Sequence, residues 1–249
     1  MKASRFDAVD ALRGLAMLWM TAFHFSFDLN HFGYLKQDFY GDPLWTGQRT
    51  AIVSLFLFCA GLGQAIALAQ RQDARRFWRR WAQVAGCALL VTLGSLWMFP
   101  ASYIYFGVLH GIAVMLVVVR FGLGGSVRRL GLLWLLGALA IALHALAPML
   151  WGASPVAELL NAKAWNWLGL NTRKPITEDF VPLLPWLGLM LFGLAGGSWL
   201  LRRAPALLAA KLPAPLAPLC WLGRHSLSYY MLHQPVLIGL LTLLAWGRA

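Results

Sequence analysis

The chain has 249 residues, of which 60% are hydrophobic and only 12% are Asp, Glu, Lys or Arg. Soluble domains carry about 25% charged residues, so this composition excludes an ordinary soluble globule and predicts an integral membrane protein. Basic residues outnumber acidic ones by 21 to 9. In a membrane protein such an excess gathers in cytoplasmic loops, and we therefore expect no nucleic-acid partner.

Long apolar segments recur along the chain. A membrane core about 30 Å thick requires roughly 20 helical residues to cross it. We predict an all-α fold, a polytopic membrane helix bundle of about seven transmembrane helices, at residues 9–29, 49–70, 78–99, 102–120, 128–150, 182–201 and 224–246. We assign residues 1–249 to a single transmembrane domain.

The connections between these segments differ in length and composition. The third and fourth segments are joined only by Pro100, Ala101 and their neighbours, which predicts a tight antiparallel hairpin. In the long loop 151–181, residues 155–167 predict a short interfacial helix with its Trp at headgroup level. The linker 202–218 holds four prolines and is expected to be irregular.

The distribution of basic residues predicts the orientation in the membrane. With the N-terminus inside, 14 basic residues lie on the cytoplasmic side and six on the opposite side, while Arg13 lies within a helix. This bias predicts a cytoplasmic N-terminus and an outer C-terminus. The arginine-rich and tryptophan-rich stretch at residues 76–81 has two interpretations. It is a topology signal flanked by interfacial Trp, which we favour, or a contact with anionic lipid.

The first segment carries polar residues at helical spacing. Asp10, Arg13, His24, Asp28 and His31 are separated by 3, 11, 4 and 3 residues, close to whole turns of 3.6 residues. Ionisable residues in a spanning helix are costly and usually face the bundle interior or a water-filled cavity. His24 and Asp28, at i and i+4, are expected to meet, so that the carboxylate fixes the tautomer of His24 and makes it a general base. Taken singly, each side chain also has a structural interpretation.

The spacing of Arg13 and His24 suggests a long ligand. They are eleven residues apart, or about 16 Å along the helix. Acetyl-CoA has a matching shape, with a phosphorylated head and a flexible arm that ends in the thioester. We expect Arg13, beside Asp10, to meet the phosphates and the acetyl group to arrive near His24.

Several motifs resemble those of one known family. They are Asp10-Ala11-Leu12-Arg13-Gly14 followed by His24, Asp28 and residues 29–33, the stretches 54–61, 106–113, 182–188 and 222–227, and Leu232-His233-Gln234-Pro235. Over nearly the whole chain this sequence resembles bacterial relatives of heparan-α-glucosaminide N-acetyltransferase. The resemblance implies a multi-pass enzyme of the bacterial inner (cytoplasmic) membrane. Such an enzyme takes acetyl-CoA, as a cosubstrate, from the cytoplasm and acetylates a sugar amine or hydroxyl on the outer face. Relatives also suggest a homodimer.

One position departs from the family pattern. In the eukaryotic lysosomal members the residue matching His24 is Asn, and the reactive His comes later, in the following luminal loop. The only His of the corresponding loop here is His31, which comes sooner after the helix than that pattern expects. The reactive histidine is therefore His24 or His31. We favour His24, because it can pair with Asp28 and reach the bundle interior.

Other polar residues are candidates for binding. His110 and His233 lie deep in the fourth and seventh segments, where they either line the path of the pantetheine arm or form interhelical hydrogen bonds. Arg224 joins Arg13 as a candidate for the phosphates. Glu178 and Asp179, at the outer mouth of the helix bundle, have two interpretations. They bind the acceptor together with His31, or they are solvated loop charges.

Other function classes remain open at this stage. Buried Arg, Asp and His also suit a transporter or channel, although no internal repeat is evident. A non-catalytic membrane protein of the same fold is a third alternative. No Cys or His pair has the spacing of metal ligands, so we expect no metal centre.

Overall fold

The computed structural model describes residues 6–246. Lys2, Arg5 and Arg248, which contribute to the charge count above, lie outside that range. Within it the regular structure is helical, which confirms the all-α prediction. The helices are α1 (Asp7–His31), α2 (Pro43–Ala69), α3 (Ala74–Met98), α4 (Val108–Val117), α5 (Leu130–Trp151), α6 (Val156–Asn161), α7 (Leu183–Arg203), α8 (Pro205–Ala209), α9 (Ala217–Arg224) and α10 (Ser226–Trp246).

The long helices account for all seven predicted segments. Six of them are long and apolar enough to cross a membrane: α2, α3, α5, α7, α10 and α4 together with its continuation to Arg128, which is a π-helix followed by a 3-10 helix. The chain is therefore a multi-pass membrane protein. The helix α1 is not among the six, since its polar residues lower its hydropathy.

Three local expectations are corrected by the structure. Helix α4 begins at Val108, so the third and fourth segments are joined by residues 99–107 rather than by a tight hairpin. Two backbone hydrogen bonds join this connection to the loop before α7. The N–H of Glu178 donates to the carbonyl of Ser102, and the N–H of Val181 donates to the carbonyl of Phe106. The linker 202–218 contains α8 and the start of α9 instead of an irregular chain. The expected interfacial helix is the six-residue α6, followed by a 3-10 turn at Asn166–Leu168.

The helices group into two compact units. The first contains the residues up to 56 and from 205 onward, and the second contains residues 57–204. Helix α2 crosses the boundary between them.

In the first unit, α1 packs against α9 at backbone contact distance. A Cβ atom built on Gly14 lies 2.0 Å from the carbonyl oxygen of Leu219, and one built on Gly223 lies 1.8 Å from that of Asp10. Only glycine permits this approach. Further along α1, Met17, Met20 and Phe23 form a core with Phe39 of the loop between α1 and α2 and with Phe56 of α2.

In the second unit, α7 is the central helix. Its Gly188 packs against Gly137 of α5, where an added Cβ would lie 2.6 Å from the carbonyl oxygen of Gly137. Helix α3 packs against α4, and Trp81 donates its indole N–H to the carbonyl of Ala113 at 2.9 Å. Much of α3 is otherwise exposed.

Candidate functional site

The polar side chains of α1 meet α10 in a polar ladder of three contacts. Thr21 bonds to Tyr229 at 2.7 Å, His24 to His233 at 2.9 Å, and Asp28 to Gln234 at 2.7 Å. Residue numbers rise together along both helices, so α1 and α10 run parallel. Met17 and Met20, which lie between Arg13 and His24 on the same side of the helix, are buried, whereas Leu15, Leu18 and Phe25 of the other faces are exposed. The polar stripe therefore faces the packed side of α1.

The hydrogen bonds of His233 define the proton positions on both histidines. The Nδ1 atom of His233 lies 2.7 Å from the carbonyl oxygen of Tyr230, which can only accept. Nδ1 of His233 therefore carries the proton, and in the neutral ring Nε2 is an acceptor. The Nδ1–H of His24 consequently donates to Nε2 of His233. Nε2 of His24 is then left with its lone pair.

Asp28 does not orient His24 directly. Among the described residues no hydrogen bond joins the two side chains, so the predicted His24–Asp28 pair is replaced by His24–His233. Oδ1 of the buried Asp28 accepts from Nε2 of Gln234, and its Oδ2 is buried without a hydrogen-bond partner in the described chain. Gln234 follows His233 in α10, so the residue that binds Asp28 is adjacent to the residue that binds His24.

His31 differs from His24 in its surroundings. It is the last residue of α1, it is exposed, and its ring contacts Phe32. It lies close enough to Asp28 for an electrostatic interaction. Of the two histidines left open by the sequence, His24 is the one whose tautomer is fixed by a buried neighbour, His233.

The other end of α1 carries a charge cluster. The carboxylate of the buried Asp10 is 3.3 Å from Nη1 of Arg13 and 3.3 Å from Nε of Arg224, and Nη2 of Arg224 is 2.6 Å from Asp7. Arg13 also donates to the carbonyl of Gly223 at 3.4 Å. Both predicted phosphate-binding arginines are thus engaged with acidic neighbours. Arg13 uses one nitrogen, Nη1, for both bonds, and within residues 6–246 its other donors have no hydrogen-bond partner and could bind a ligand.

His110 lies in the second unit and holds the start of α4. Thr92 donates its hydroxyl to the carbonyl of Ile104 at 2.8 Å and accepts from Nε2 of His110 at 3.0 Å. The other ring nitrogen accepts from the backbone N–H of Gly107 at 3.3 Å. Nε2 therefore forms a hydrogen bond between α4 and α3, whereas Nδ1 caps the first turn of its own helix.

Glu178 and Asp179 also make structural contacts in the second unit. Asp179 accepts from the backbone N–H of Val108 at 2.7 Å and so caps α4. Glu178 accepts from the hydroxyl of Ser102 at 2.5 Å. These carboxylates order residues 99–107, a role that the sequence did not indicate.

Three members of the polar ladder, Thr21, Tyr229 and Gln234, are not among the site residues predicted from the sequence. Gln234 belongs to a motif of the family resemblance only. Tyr229 and His233 do lie on one helical face at i and i+4, which was the available signal. Pairing them with α1 required knowledge of the helix packing.

The fold and the ladder define a class: a multi-pass α-helical membrane protein with a polar, histidine-containing contact between two parallel helices. The family model described as heparan-alpha-glucosaminide N-acetyltransferase, catalytic, matches residues 5–235. The chain therefore belongs to this family of membrane acetyltransferases. No curated protein and no solved structure matched the chain.

Proposed function

We propose that this protein transfers an acetyl group from cytoplasmic acetyl-CoA, across the membrane, to an amine or hydroxyl of a sugar on the outer face. Membership of the acetyltransferase family supports the reaction class. The observation that carries the residue assignment is the bond from His24 to His233, because it leaves Nε2 of His24 as an available base.

In this mechanism His24 acts as the general base. Nε2 of His24 removes the proton from the acceptor amine or hydroxyl while that atom attacks the thioester carbonyl. The C–S bond then breaks and coenzyme A leaves as the thiol after taking up a proton. His233 holds the ring in place through the Nδ1–H of His24, and the buried Asp28, reached through Gln234, favours the positive charge that His24 gains.

A covalent route uses the same nitrogen. Nε2 of His24 attacks the thioester carbonyl, the C–S bond breaks, and coenzyme A leaves as a thiolate that takes up a proton from water. The acceptor then attacks the acetyl carbon, the bond from that carbon to Nε2 breaks, and Nε2 takes up the proton that the acceptor loses. In both routes the acetyl group crosses while coenzyme A stays inside. Acetyl-CoA binds with its phosphates toward Arg13 and Arg224, about 16 Å along α1 from His24.

The experiment uses purified protein in sealed vesicles. Labelled acetyl-CoA is supplied on one side and candidate amino sugars on the other. We expect acetylated sugar on the side of the acceptor, and a loss of at least 10²-fold in rate for His24→Ala. Full transfer by His24→Ala, with His31→Ala inactive, would assign the reaction to His31.

Ligand stabilisation separates an enzyme from a transporter that uses the same polar stripe. A molecule that binds only the folded state raises the midpoint of thermal unfolding. We expect millimolar acetyl-CoA to do so. An unchanged midpoint, together with proton or anion flux through the vesicles, would support transport. A protein that neither binds acetyl-CoA nor carries flux would be a non-catalytic relative.

A further inference from the structure

Helix α3 of the second unit carries an exposed stripe that no function has yet explained. Side chains on one face of the helix, at spacings of three or four residues, form the α3 stripe: Arg75, Arg79, Ala82, Gly86, Leu90, Leu93 and Trp97. Leu90 and Leu93 are about 60% exposed and Trp97 is 86% exposed. Arg75 and Arg79 are also exposed.

The arginine end of this stripe is strongly basic. Arg120 donates to the carbonyl of Gln72, and Arg202 to that of Val127, so the ends of α3, α4 and α7 lie together. The arginines at this end are Arg71, Arg75, Arg76, Arg79, Arg80, Arg120, Arg128, Arg129, Arg202 and Arg203, and Asp73 is the one acidic residue among the described residues here. Asp73 accepts from the backbone N–H of Arg76.

Aromatic side chains mark the headgroup level beside Arg75 and Arg79. Trp78 stacks on Phe121 with a centroid separation of 5.4 Å and an interplanar angle of 18°. Both rings are about half exposed. Trp is favoured at the boundary between headgroups and acyl chains. From this preference we expect the arginines of the stripe to lie near the depth of lipid phosphates.

The part of the stripe from Arg79 to Leu90 has the length of one leaflet. Arg79 and Leu90 are eleven residues apart, or about 16 Å, close to half of a hydrocarbon core about 30 Å thick. Between them Ala82 and Gly86 have small side chains, and a Cβ built on Gly86 meets no atom within 4 Å, so the helix surface is open here. An acyl chain can lie on this open surface against Leu90.

We propose that the α3 stripe binds an anionic phospholipid. Arg75 and Arg79, one helical turn apart, bind the phosphate, and an acyl chain covers Ala82, Gly86 and Leu90. Each arginine near an anionic headgroup contributes about 1 kcal/mol. A second copy of this chain in a parallel dimer is disfavoured, because it would bring two arginine ends together. Coenzyme A fits poorly, because Ala82, Gly86, Leu90 and Leu93 of the stripe offer no polar side chain for its amide groups. Of the neighbouring polar residues, Gln83 lies at the edge and the hydroxyl of Thr92 is bonded to Ile104 and His110.

The test compares lipids on the purified full-length protein in detergent. We expect phosphatidylglycerol, but not phosphatidylcholine, to raise the midpoint of thermal unfolding and to stay bound in native mass spectrometry. Arg75→Gln/Arg79→Gln should weaken phosphatidylglycerol binding by about 10-fold to 30-fold. Arg128→Gln/Arg129→Gln, which removes the same charge from the same end, should have little effect.

A second pair of variants tests whether the acyl chain lies on the open surface at Gly86. Gly86→Leu should displace the lipid, whereas Gly94→Leu, also open but in the outer half of α3, should not. Equal losses from both arginine pairs would show unspecific charge attraction and overturn the proposal. So would stabilisation by inorganic phosphate or coenzyme A that depends on Arg75 and Arg79, or a change from dimer to monomer in Gly86→Leu.

Discussion

Nδ1 of His24 lies 2.9 Å from Nε2 of His233, and the two rings stack with an interplanar angle of 20°. His233 is itself fixed by its bond to the carbonyl of Tyr230. Two successive hydrogen bonds therefore connect His24 of α1, through His233, to the backbone carbonyl oxygen of Tyr230 in α10. The protonation state of that oxygen does not change. This makes His233 a positioning residue for His24.

His233→Ala should slow acetyl transfer by about 10²-fold, because His24 loses the acceptor that fixes its tautomer. His233→Gln, which retains an acceptor oxygen, should recover part of the rate. The double variant His24→Ala/His233→Ala should be no slower than His24→Ala alone. His225→Gln, an exposed histidine of the same unit, serves as the control. Additive losses in the double variant would contradict the positioning role.

Gln234→Ala should lower the free energy of unfolding by about 1–3 kcal/mol, because the buried carboxylate of Asp28 loses its hydrogen-bond donor. In an Asp28→Asn background the same change should cost less, since no buried charge is left unpaired. The measurement is denaturant or thermal unfolding of all four proteins of the cycle. Identical costs in both backgrounds would show that the Gln234–Asp28 bond is unimportant for stability.

Gly14→Ala should strongly destabilise the first unit, by more than about 3 kcal/mol, because its Cβ would lie 2.0 Å from the backbone oxygen of Leu219. A backbone oxygen cannot move aside as a flexible side chain can. Gly239→Ala on α10 is the matched control, since nothing lies within 4 Å of its added Cβ. Thermal unfolding in detergent compares the two. A stable Gly14→Ala protein would mean that α1 and α9 can separate without cost.

Arg13→Gln should raise the KM for acetyl-CoA by about 10-fold or more, if Arg13 binds a phosphate in addition to Asp10. The donor S-acetylpantetheine lacks the nucleotide phosphates, and its KM should not change. In Arg13→Gln, Asp10 loses its ion pair whichever donor is used. The difference between the two KM changes therefore reports the contact between Arg13 and the phosphates alone. Equal increases for the two donors would indicate that Arg13 is purely structural.

Asp179→Ala should destabilise the start of α4 by about 1 kcal/mol, because the backbone N–H of Val108 loses its cap. Asp179→Asn should lose less, since its amide oxygen can still accept. Hydrogen exchange at residues 99–110 reports the local change, and the acetyl-transfer rate reports the proposed contact with the acceptor. A slower rate with unchanged hydrogen exchange would favour acceptor binding over capping.

The sequence by itself determined the membrane class, the number and approximate position of the long helices, and the polar stripe of α1. These properties follow from composition and helical periodicity, which are local and require no knowledge of neighbours. The polar residues between 10 and 31 were identified in the same way, although their partners could not be.

Only the tertiary structure decided which residues meet. The sequence paired His24 with Asp28, because both lie on one face of one helix. In the folded chain His233 and Gln234, more than 200 positions away, occupy those hydrogen-bonding positions instead. In the same way, Asp179 proved to cap α4 across 71 positions. Helical spacing defines which side chains share a face, whereas the packing of another helix on that face selects their partners.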